Sequence, residues 1–432
     1  MLQECSWGDN FKREAALLVA LAIAVFTIYE ATRLFMAWQM GRSRELAVQV
    51  RGAKLERNAE AWDRLGNVFA ADFENENPAR AEEFYKEAVK LDPRSARYWM
   101  DLAADYEDQG NIASAKSAYE HAQAAYPISA DVAWRFGNFL MRQGDESEGL
   151  EQIRRAISTD SKLAPLAIGL VWSFEPKVPL LLHLLPRDEG LYLEALDFLA
   201  SKRQDDAALQ VWNEIILFRQ AAPPNISIAF PLIDELIASE RAEDTQRVWN
   251  EVLALTHWPI APRLAQGSAV WNGGFEGAIA NGGLDWHFES VPGDYISIDS
   301  AVQHSGDHSL RVDFTGGTNL DFAGVWQFVP VSPSTKYDFR YFMMTHAITT
   351  ESGMRFEILE PGGPSVNLQT SEMTGSNPWT PVSVPVSTGA STHFLQIRLR
   401  RFPSRLFDNK LSGTVWVDDI TLIKAAAANP TP

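Results

Sequence analysis

Cysteine is nearly absent: Cys5 is the only one in 432 residues. No intrachain disulfide can form, and no cysteine-based zinc site is possible. Positive charge is also scarce. Thirty-eight Lys and Arg face 56 Asp and Glu, a formal net charge of −18. No basic tract is long enough to neutralise a run of phosphates, so a nucleic-acid partner is not expected. The signatures of common chemistry are missing too. No Gly-x-Ser-x-Gly elbow occurs. The stretch Trp271-Asn272-Gly273-Gly274 lacks the lysine and the strand–loop–helix setting of a phosphate loop. Glu357 and Glu360 lie three apart on a strand-like segment, hence on opposite faces, and cannot flank a glycosidic bond as a catalytic pair. His304 and His308 are four apart, but in a loop-to-strand segment they do not make a helical metal pair. A non-enzymatic protein is expected.

Long apolar runs are few. Ala15 to Tyr29 is the main one, fifteen residues without a charge, and helix can continue past Glu30 and Arg33 to Trp38. A span needs roughly 20 residues. Glu30 and Arg33 can pair three apart near one end, and Trp38 suits an interface. A single-pass anchor over 15–38, a cleaved signal peptide and a buried soluble helix all meet this pattern. No small-x-small cleavage site follows the run, which favours the anchor. Lys12 and Arg13 precede it, while Arg42, Arg44, Arg51 and Lys54 follow it. That bias alone leans toward a cytoplasmic C-terminus.

What is present begins with a repeat. Ala81, Ala115 and Gly149 sit 34 residues apart. The same step links Tyr85, Tyr119 and Ile153; Ala88, Ala122 and Ala156; Pro93 and Pro127; Gly110 and Gly144. Upstream stand Trp62-x-x-Leu65-Gly66-x-x-Phe69, Trp99-x-x-Leu102-Ala103-x-x-Tyr106 and the weaker Ala133-x-x-Phe136-Gly137-x-x-Leu140. This pattern resembles the tetratricopeptide repeat, a helix–turn–helix unit that must stack to bury its apolar face. The turn from Ala71 to Pro78 carries about three extra residues relative to that pattern. Past Lys162 the register is lost, but Val211-Trp212-Asn213-Glu214 returns as Val248-Trp249-Asn250-Glu251, which predicts two further degenerate repeats. The Leu- and Pro-rich stretch Pro176 to Pro186 is expected as a linker or cap between the two sets. The resemblance implies a peptide groove on the first helices, at Asp63, Asn67, Met100, Ala104, Trp134 and Asn138. The Lys and Arg clamp for a C-terminal carboxylate is not matched.

After Pro262 the composition turns to Gly, Ser, Thr, Val and aromatics with period-two alternation. Eight segments read as strands: 291–298, 309–314, 325–331, 337–344, 354–359, 382–386, 394–399 and 413–423, with turn signals between them. An antiparallel sandwich follows. The opening Asn272-Gly273-Gly274-Phe275-Glu276, the middle His304-Ser305-Gly306-Asp307-His308-Ser309-Leu310-Arg311-Val312 and the closing Gly413-Thr414-Val415-Trp416-Val417-Asp418-Asp419-Ile420 resemble the jelly-roll carbohydrate-binding modules found beside glycan-degrading enzymes. The resemblance covers about 272 to 423. It implies that the first and last strands are neighbours and that Glu276 with Asp418 or Asp419 holds a structural calcium through hard oxygen ligands. It also implies sugar stacking on exposed aromatics, for which Trp286, Tyr295, Trp326 and Trp379 are candidates, each with core packing as the competing role. Trp416, alternating with Val415 and Val417, is expected in the core.

The expected architecture is therefore multidomain α + β. It runs as a tail (1–14), a transmembrane anchor helix (15–38), a linker helix (39–54), tetratricopeptide-like repeats (55–161), degenerate helical repeats (162–262), a β-jelly-roll (268–424) and a disordered tail (425–432). The expected function is a membrane-anchored adaptor that holds a protein partner on its repeats and a glycan on its β-domain. Its expected setting is the bacterial inner membrane, with the bulk exported and a role in envelope polysaccharide assembly or export. Export conflicts with the charge bias around the apolar run. An assembly protein whose β-domain self-associates without sugar is the alternative.

Overall fold

The computed structural model describes residues 6–71, 77–218, 222–259, 267–363, 365–407 and 409–425. The chain divides into two compact units: Met1–Val171 with His183–Pro186, and Trp172–Leu182 with Arg187–Pro432.

The first unit opens with α1 (Ser6–Gly41) and the shorter α2 (Leu46–Glu56). Helix thus starts inside the expected 1–14 tail, and a break after Gly41 interrupts the expected 39–54 linker helix. The sequence explains both: no Gly or Pro occurs from Asp9 to Met40, so nothing stops the helix before Gly41. Leu17, Val19, Ile23 and Phe26 stand exposed. Lys12–Gly41 is long and apolar enough to cross a membrane, a test that a signal sequence also meets. From Glu30 onward α1 packs on α2. Ala37 is fully buried. Arg33 pairs with Glu30 at 2.6 Å and also bonds the carbonyl of Leu55.

Three helix pairs follow: α3 (Ala59–Ala71) with α4 (Pro78–Leu91), α5 (Ala96–Asp108) with α6 (Ile112–Ala125), and α7 (Ala130–Arg142) with α8 (Glu146–Thr159). Small residues set the crossings, as the 34-residue step predicts. A Cβ on Gly66 would lie 2.6 Å from the Tyr85 ring, and one on Gly137 2.8 Å from Ile153. Ala81, Ala88, Ala115 and Ala122 are fully buried. Burying Tyr85, Tyr119 and Ile153 contributes about 1.5–3 kcal/mol each. Gly110 and Gly144 turn the chain between helices at φ +74° and +82°. Asn77 and Asn111, again 34 apart, cap the second helices by accepting from the amides of Arg80 and Ser114. Most of the expected long turn, 72–76, lies outside the described residues. These are tetratricopeptide-type helix pairs.

Next come α9 (Ala164–Phe174) and α10 (Val178–Leu184). The stretch 176–186, expected as a linker or cap, is thus partly helical. Pro179 sits in its first turn, where a missing N–H is harmless, and Leu181 and Leu184 are fully buried. In the second unit, α11 (Glu189–Ser201), α12 (Asp205–Ile215), α13 (Phe230–Ala238) and α14 (Ala242–Leu255) form the two degenerate pairs. Trp212 is fully buried and Trp249 nearly so. Where the earlier pairs use glycine at the turn, these use Arg203 and Glu240, at φ +56° and +58°.

The composition change at Pro262 falls outside the described residues. The β-domain beyond it comprises β1 (His287–Phe288), β2 (Asp294–Asp299), β3 (Ser309–Thr315), β4 (Phe322–Pro330), β5 (Lys336–Ile348), β6 (Arg355–Leu359), β7 (Asn367–Gln369), β8 (Gly375–Ser387), β9 (Phe394–Arg401) and β10 (Ser412–Lys424). They form two five-stranded antiparallel sheets, β1-β4-β9-β6-β7 and β2-β3-β10-β5-β8. Alternating residues such as Val312, Phe339, Ile358, Leu399 and Val415 fill the space between the sheets. That alternation fixes register, since a one-residue slip would turn each apolar face outward. All eight expected strands are present. Strands β1 and β7, of two and three residues, are too short to show alternation and were not anticipated. The opening segment does lie against the last strand: Ile420 N donates to Gly273 O at 2.9 Å. Residues 426–432, expected as a disordered tail, lie outside the described residues.

Candidate functional site

The three carboxylates expected to bind calcium converge on one loop, 304–308, and spend their oxygens on it. Glu276 Oε1 accepts from the amides of Asp307 and His308 at 2.8 and 3.1 Å, and its Oε2 meets His308 Nδ1 at 3.0 Å. Asp418 Oδ2 accepts from the amides of His304 and Ser305 at 2.9 and 3.1 Å, and its Oδ1 from the amide of Asp419 at 2.7 Å. Asp419 takes the Ser305 hydroxyl at 2.6 Å and His304 Nδ1 at 2.5 Å. Burial works against the charge on Glu276, but His308 and the two amides more than offset it and hold its pKa below the usual value. Burial pushes Asp418 up to about 6 despite its amide donors. Among the described residues no cluster of three or more His, Cys, Asp or Glu is arranged to hold a metal ion. This donor set does not fit a calcium ion. It clamps a loop in which Gly306 takes a left-handed φ of +65°, a conformation that favours glycine.

The four stacking candidates part company. Trp286 is fully buried, packs on Phe275 at 5.4 Å and donates its Nε1–H to Asn272 O at 3.0 Å. It is core and offers no face to a ligand, because it lies between the sheets with its one polar atom satisfied. Tyr295 is 64% exposed on the edge strand β2. Trp379 is half-buried beside His304, their centroids 5.7 Å apart. Trp416, expected in the core, is buried on the other side of its sheet: it alternates with the core residues Val415 and Val417, lies under the Arg311 guanidinium and donates its Nε1–H to Asp299 at 2.9 Å. Of the four candidates, Trp326 lines a pocket.

That pocket is built jointly by the last helix pair and the sandwich. The loop 281–285 is held against the helices: a Cβ on Gly282 would lie 2.2 Å from the Phe230 ring, and one on Gly283 2.5 Å from Trp249. Trp249 also meets Trp271 edge-on at 5.9 Å. Beside this junction a cavity of about 600 Å³ opens between α13 and the face of the β1-β4-β9-β6-β7 sheet turned away from the core. One wall is aromatic. His287 and Trp326 are directly paired across β1 and β4, their rings stacked at 3.6 Å and 12°. Phe328, two residues on and so on the same face, meets Trp326 edge-on at 5.1 Å. The opposite wall is α13, with Asp234 and Ile237; Glu360 and His393 complete the rim.

The charged groups in the pocket are unequal. Asp234 is exposed toward the cavity, and partial loss of hydration from the surrounding protein raises its pKa. Glu360 is held below the usual carboxylate range by the Thr392 hydroxyl at 2.6 Å, against burial, with the Ser365 amide at 2.9 Å adding to the effect. Burial lowers the pKa of His287, against the pull of the Gly283 carbonyl, so its ring is neutral at neutral pH. Among the described lining residues there is no Lys or Arg. Glu357 and Glu360, read from sequence as unable to act as a catalytic pair, serve separate contacts: Glu357 accepts from Arg398 Nε at 2.6 Å. Sequence reasoning missed Asp234, His287, Phe328 and Glu360. Phe328 carried a signal in its two-residue spacing from Trp326. Asp234 carried none, because it arrives from another fold element.

On the first helices of the repeats, the expected groove residues are largely committed. Asp63 is fully buried and Met100 nearly so, so neither offers a surface. The reason is the next repeat: Arg97 lies over Asp63 at 3.0 Å. Burial, with the nearby Asp101 carboxylate adding to it, raises the pKa of Asp63 against the pull of Arg97. Asn67 donates to Asp63 O at 3.1 Å and accepts from Tyr85 Oη–H at 3.1 Å. Asn138 donates to Trp134 O at 2.7 Å, and both residues are half-buried. Ala104, Trp134 and Asn138 are the positions that keep accessible surface alongside Asn67.

No family model matches the chain. A curated barley (Hordeum vulgare) protein, described as a probable UDP-N-acetylglucosamine–peptide N-acetylglucosaminyltransferase SPINDLY, is 30% identical over 105 residues, 22% of this chain. The chain spans about a tenth of that relative's length, 11%. Among solved structures, MamA is 17% identical over 40% of this chain and 84% of its own, with a TM-score of 0.26. YrrB, described as a TPR protein with an unusual peptide-binding site, is 15% identical over 48% and 92%, with a TM-score of 0.25. PilF of Pseudomonas aeruginosa is 21% identical over 46% and 91%, with a TM-score of 0.26.

Proposed function

We propose that this chain is a non-enzymatic holding protein: its helical repeats seat a protein segment, its β-domain pocket seats a glycan, and α1 anchors it in a membrane. The observation that carries the glycan half is the cavity of about 600 Å³ with Trp326 and Phe328 in its wall. Its volume suits a ligand of one or two sugar rings, and its mix of aromatic surface with few polar groups is the usual make-up of a small-ligand site. The protein half is supported by the stacked helix pairs, an architecture built for extended contact surfaces, and by a peptide-binding site in the description of YrrB. The anchor is supported by the exposed apolar surface of α1. A bacterial inner membrane, export of the bulk and a role in envelope polysaccharide assembly are the setting this reading carries.

The test is a glycan array probed with the full chain in detergent, wild type against Trp326→Ala. Binding that disappears with Trp326→Ala supports the reading. One observation favours a second reading, an assembly role without sugar: β2 is an open sheet edge bearing the exposed Tyr295, and such edges pair with other strands. Self-association by sedimentation, with no glycan bound, selects it. Protease protection on intact cells decides orientation.

A further inference from the structure

We infer that the pocket beside α13 binds a saccharide carrying a free amine, with the ammonium held by Asp234 opposite the aromatic wall of Trp326 and Phe328. This rests on the glycan reading above and names its ligand class.

The charged side chains around the cavity can accept but hardly donate. Asp234, Glu240 and Glu360 are carboxylates, and no Lys or Arg is among the described lining residues. A ligand that meets them must therefore donate hydrogen bonds or carry positive charge. The carboxylates differ in availability. Glu360 is already engaged by Thr392 and Ser365. The Asp234 carboxylate makes no hydrogen bond or ion pair with any other described residue, though it faces the cavity. An ammonium there forms a charge-assisted hydrogen bond, the strong kind, while the sugar ring that bears it extends toward the aromatic wall opposite. The same carboxylates repel uronic and other acidic sugars, which gives selectivity by charge. A lysine side chain carries the same ammonium, but it would leave most of about 600 Å³ unfilled. One or two rings fill it. The aromatic wall is also fixed in place, since Trp326 is stacked on His287 and His287 Nε2 is tied to Gly283 O at 3.3 Å. A ligand thus meets a preformed surface and loses little affinity to ordering it.

Calorimetric titration of the full chain in detergent at pH 6.5 tests this with four probes: the β-1,4 disaccharide of glucosamine, its di-N-acetyl form, digalacturonate and a trilysine peptide. The glucosamine disaccharide should bind. The acetylated form should bind at least about tenfold more weakly, the scale of losing one partner of a partly desolvated charge pair. Digalacturonate and trilysine should give no heat. Asp234→Asn should erase the preference for the amine, Asp234→Glu should keep it, and thermal midpoints near wild type would show both variants folded. Equal binding of the free and acetylated disaccharides overturns the amine inference and leaves the glycan reading standing. Trilysine binding as well as the amino sugar overturns the saccharide assignment. No binding of any saccharide sinks the underlying reading as well.

Discussion

The two regions hold their carboxylates in different ways. In the repeats the partner is a cation one repeat away. Asp63 meets Arg97 at 3.0 Å, Glu107 meets Arg142 at 2.8 Å and Asp206 meets Arg241 at 2.6 Å, at steps of 34 or 35 residues. The β-domain has ion pairs too, such as Arg398 with Glu357, but it adds a second kind of partner, the backbone. Asp285, fully buried, takes the amides of Ala280 and Trp286 at 2.7 and 2.8 Å, and Glu276, Asp299 and Asp418 each take two or more amides. The physical reason is the state of the main chain. A helix interior has no spare N–H groups, so a carboxylate between helices needs a side chain from the next unit. Loops between strands leave amides unpaired, and a carboxylate that collects them fixes the loop. Stability in the repeats therefore passes from unit to unit, whereas in the sandwich it is concentrated at loop knots.

Breaking a knot should be the largest effect. A Cβ on Gly273 would lie 2.0 Å from the carbonyl oxygen of Ile420, backbone that cannot move aside. Gly273→Val should cost more than about 4 kcal/mol, the range of severe core disruptions. The loss should appear as missing β signal in circular dichroism while the helical signal stays. Breaking a repeat link should cost less. Arg97→Leu leaves the Asp63 carboxylate buried without its cation, and about 1–3 kcal/mol is expected in urea denaturation. The pH response sharpens the contrast further. Burial pushes Asp285 up to about 7 from an ordinary 3.8, against its two amides. A raised carboxylate pKa makes the folded state the better proton binder, so this contribution is present below pH 4 and fades as pH rises through 7. The thermal midpoint of the β-domain should accordingly be higher at pH 5 than at pH 8, and Asp285→Asn should flatten that slope. The smallest effect is a gain. Arg203 holds a left-handed turn that glycine takes in the earlier repeats, so Arg203→Gly should stabilise by about 1 kcal/mol in the same urea titration.

The legible parts of this molecule were those whose physics is periodic. A 34-residue step located the small residues Ala81 and Ala115, the tyrosines Tyr85 and Tyr119 and the turn glycines Gly110 and Gly144, and two-residue alternation located eight of the ten strands. The site was less legible because it joins elements distant in sequence. Trp326 could be singled out as an aromatic on a strand, but not told apart from Trp286, since both read as aromatics near strands and only packing puts one in the core and the other in a cavity. Asp63 looked like a groove residue because its repeat position faces outward in a single unit. The arginine that covers it belongs to the next one. The expected calcium carboxylates were brought together, but the loop amides that occupy them follow no pattern a sequence displays.

Hydrogen–deuterium exchange of the full chain, with and without saturating glucosamine disaccharide, tests the central claim most directly. The joint pocket predicts protection at once in α13 and in β1 and β4, with β2 unchanged. Protection confined to β2 around Tyr295, or no protection in either element, would contradict it.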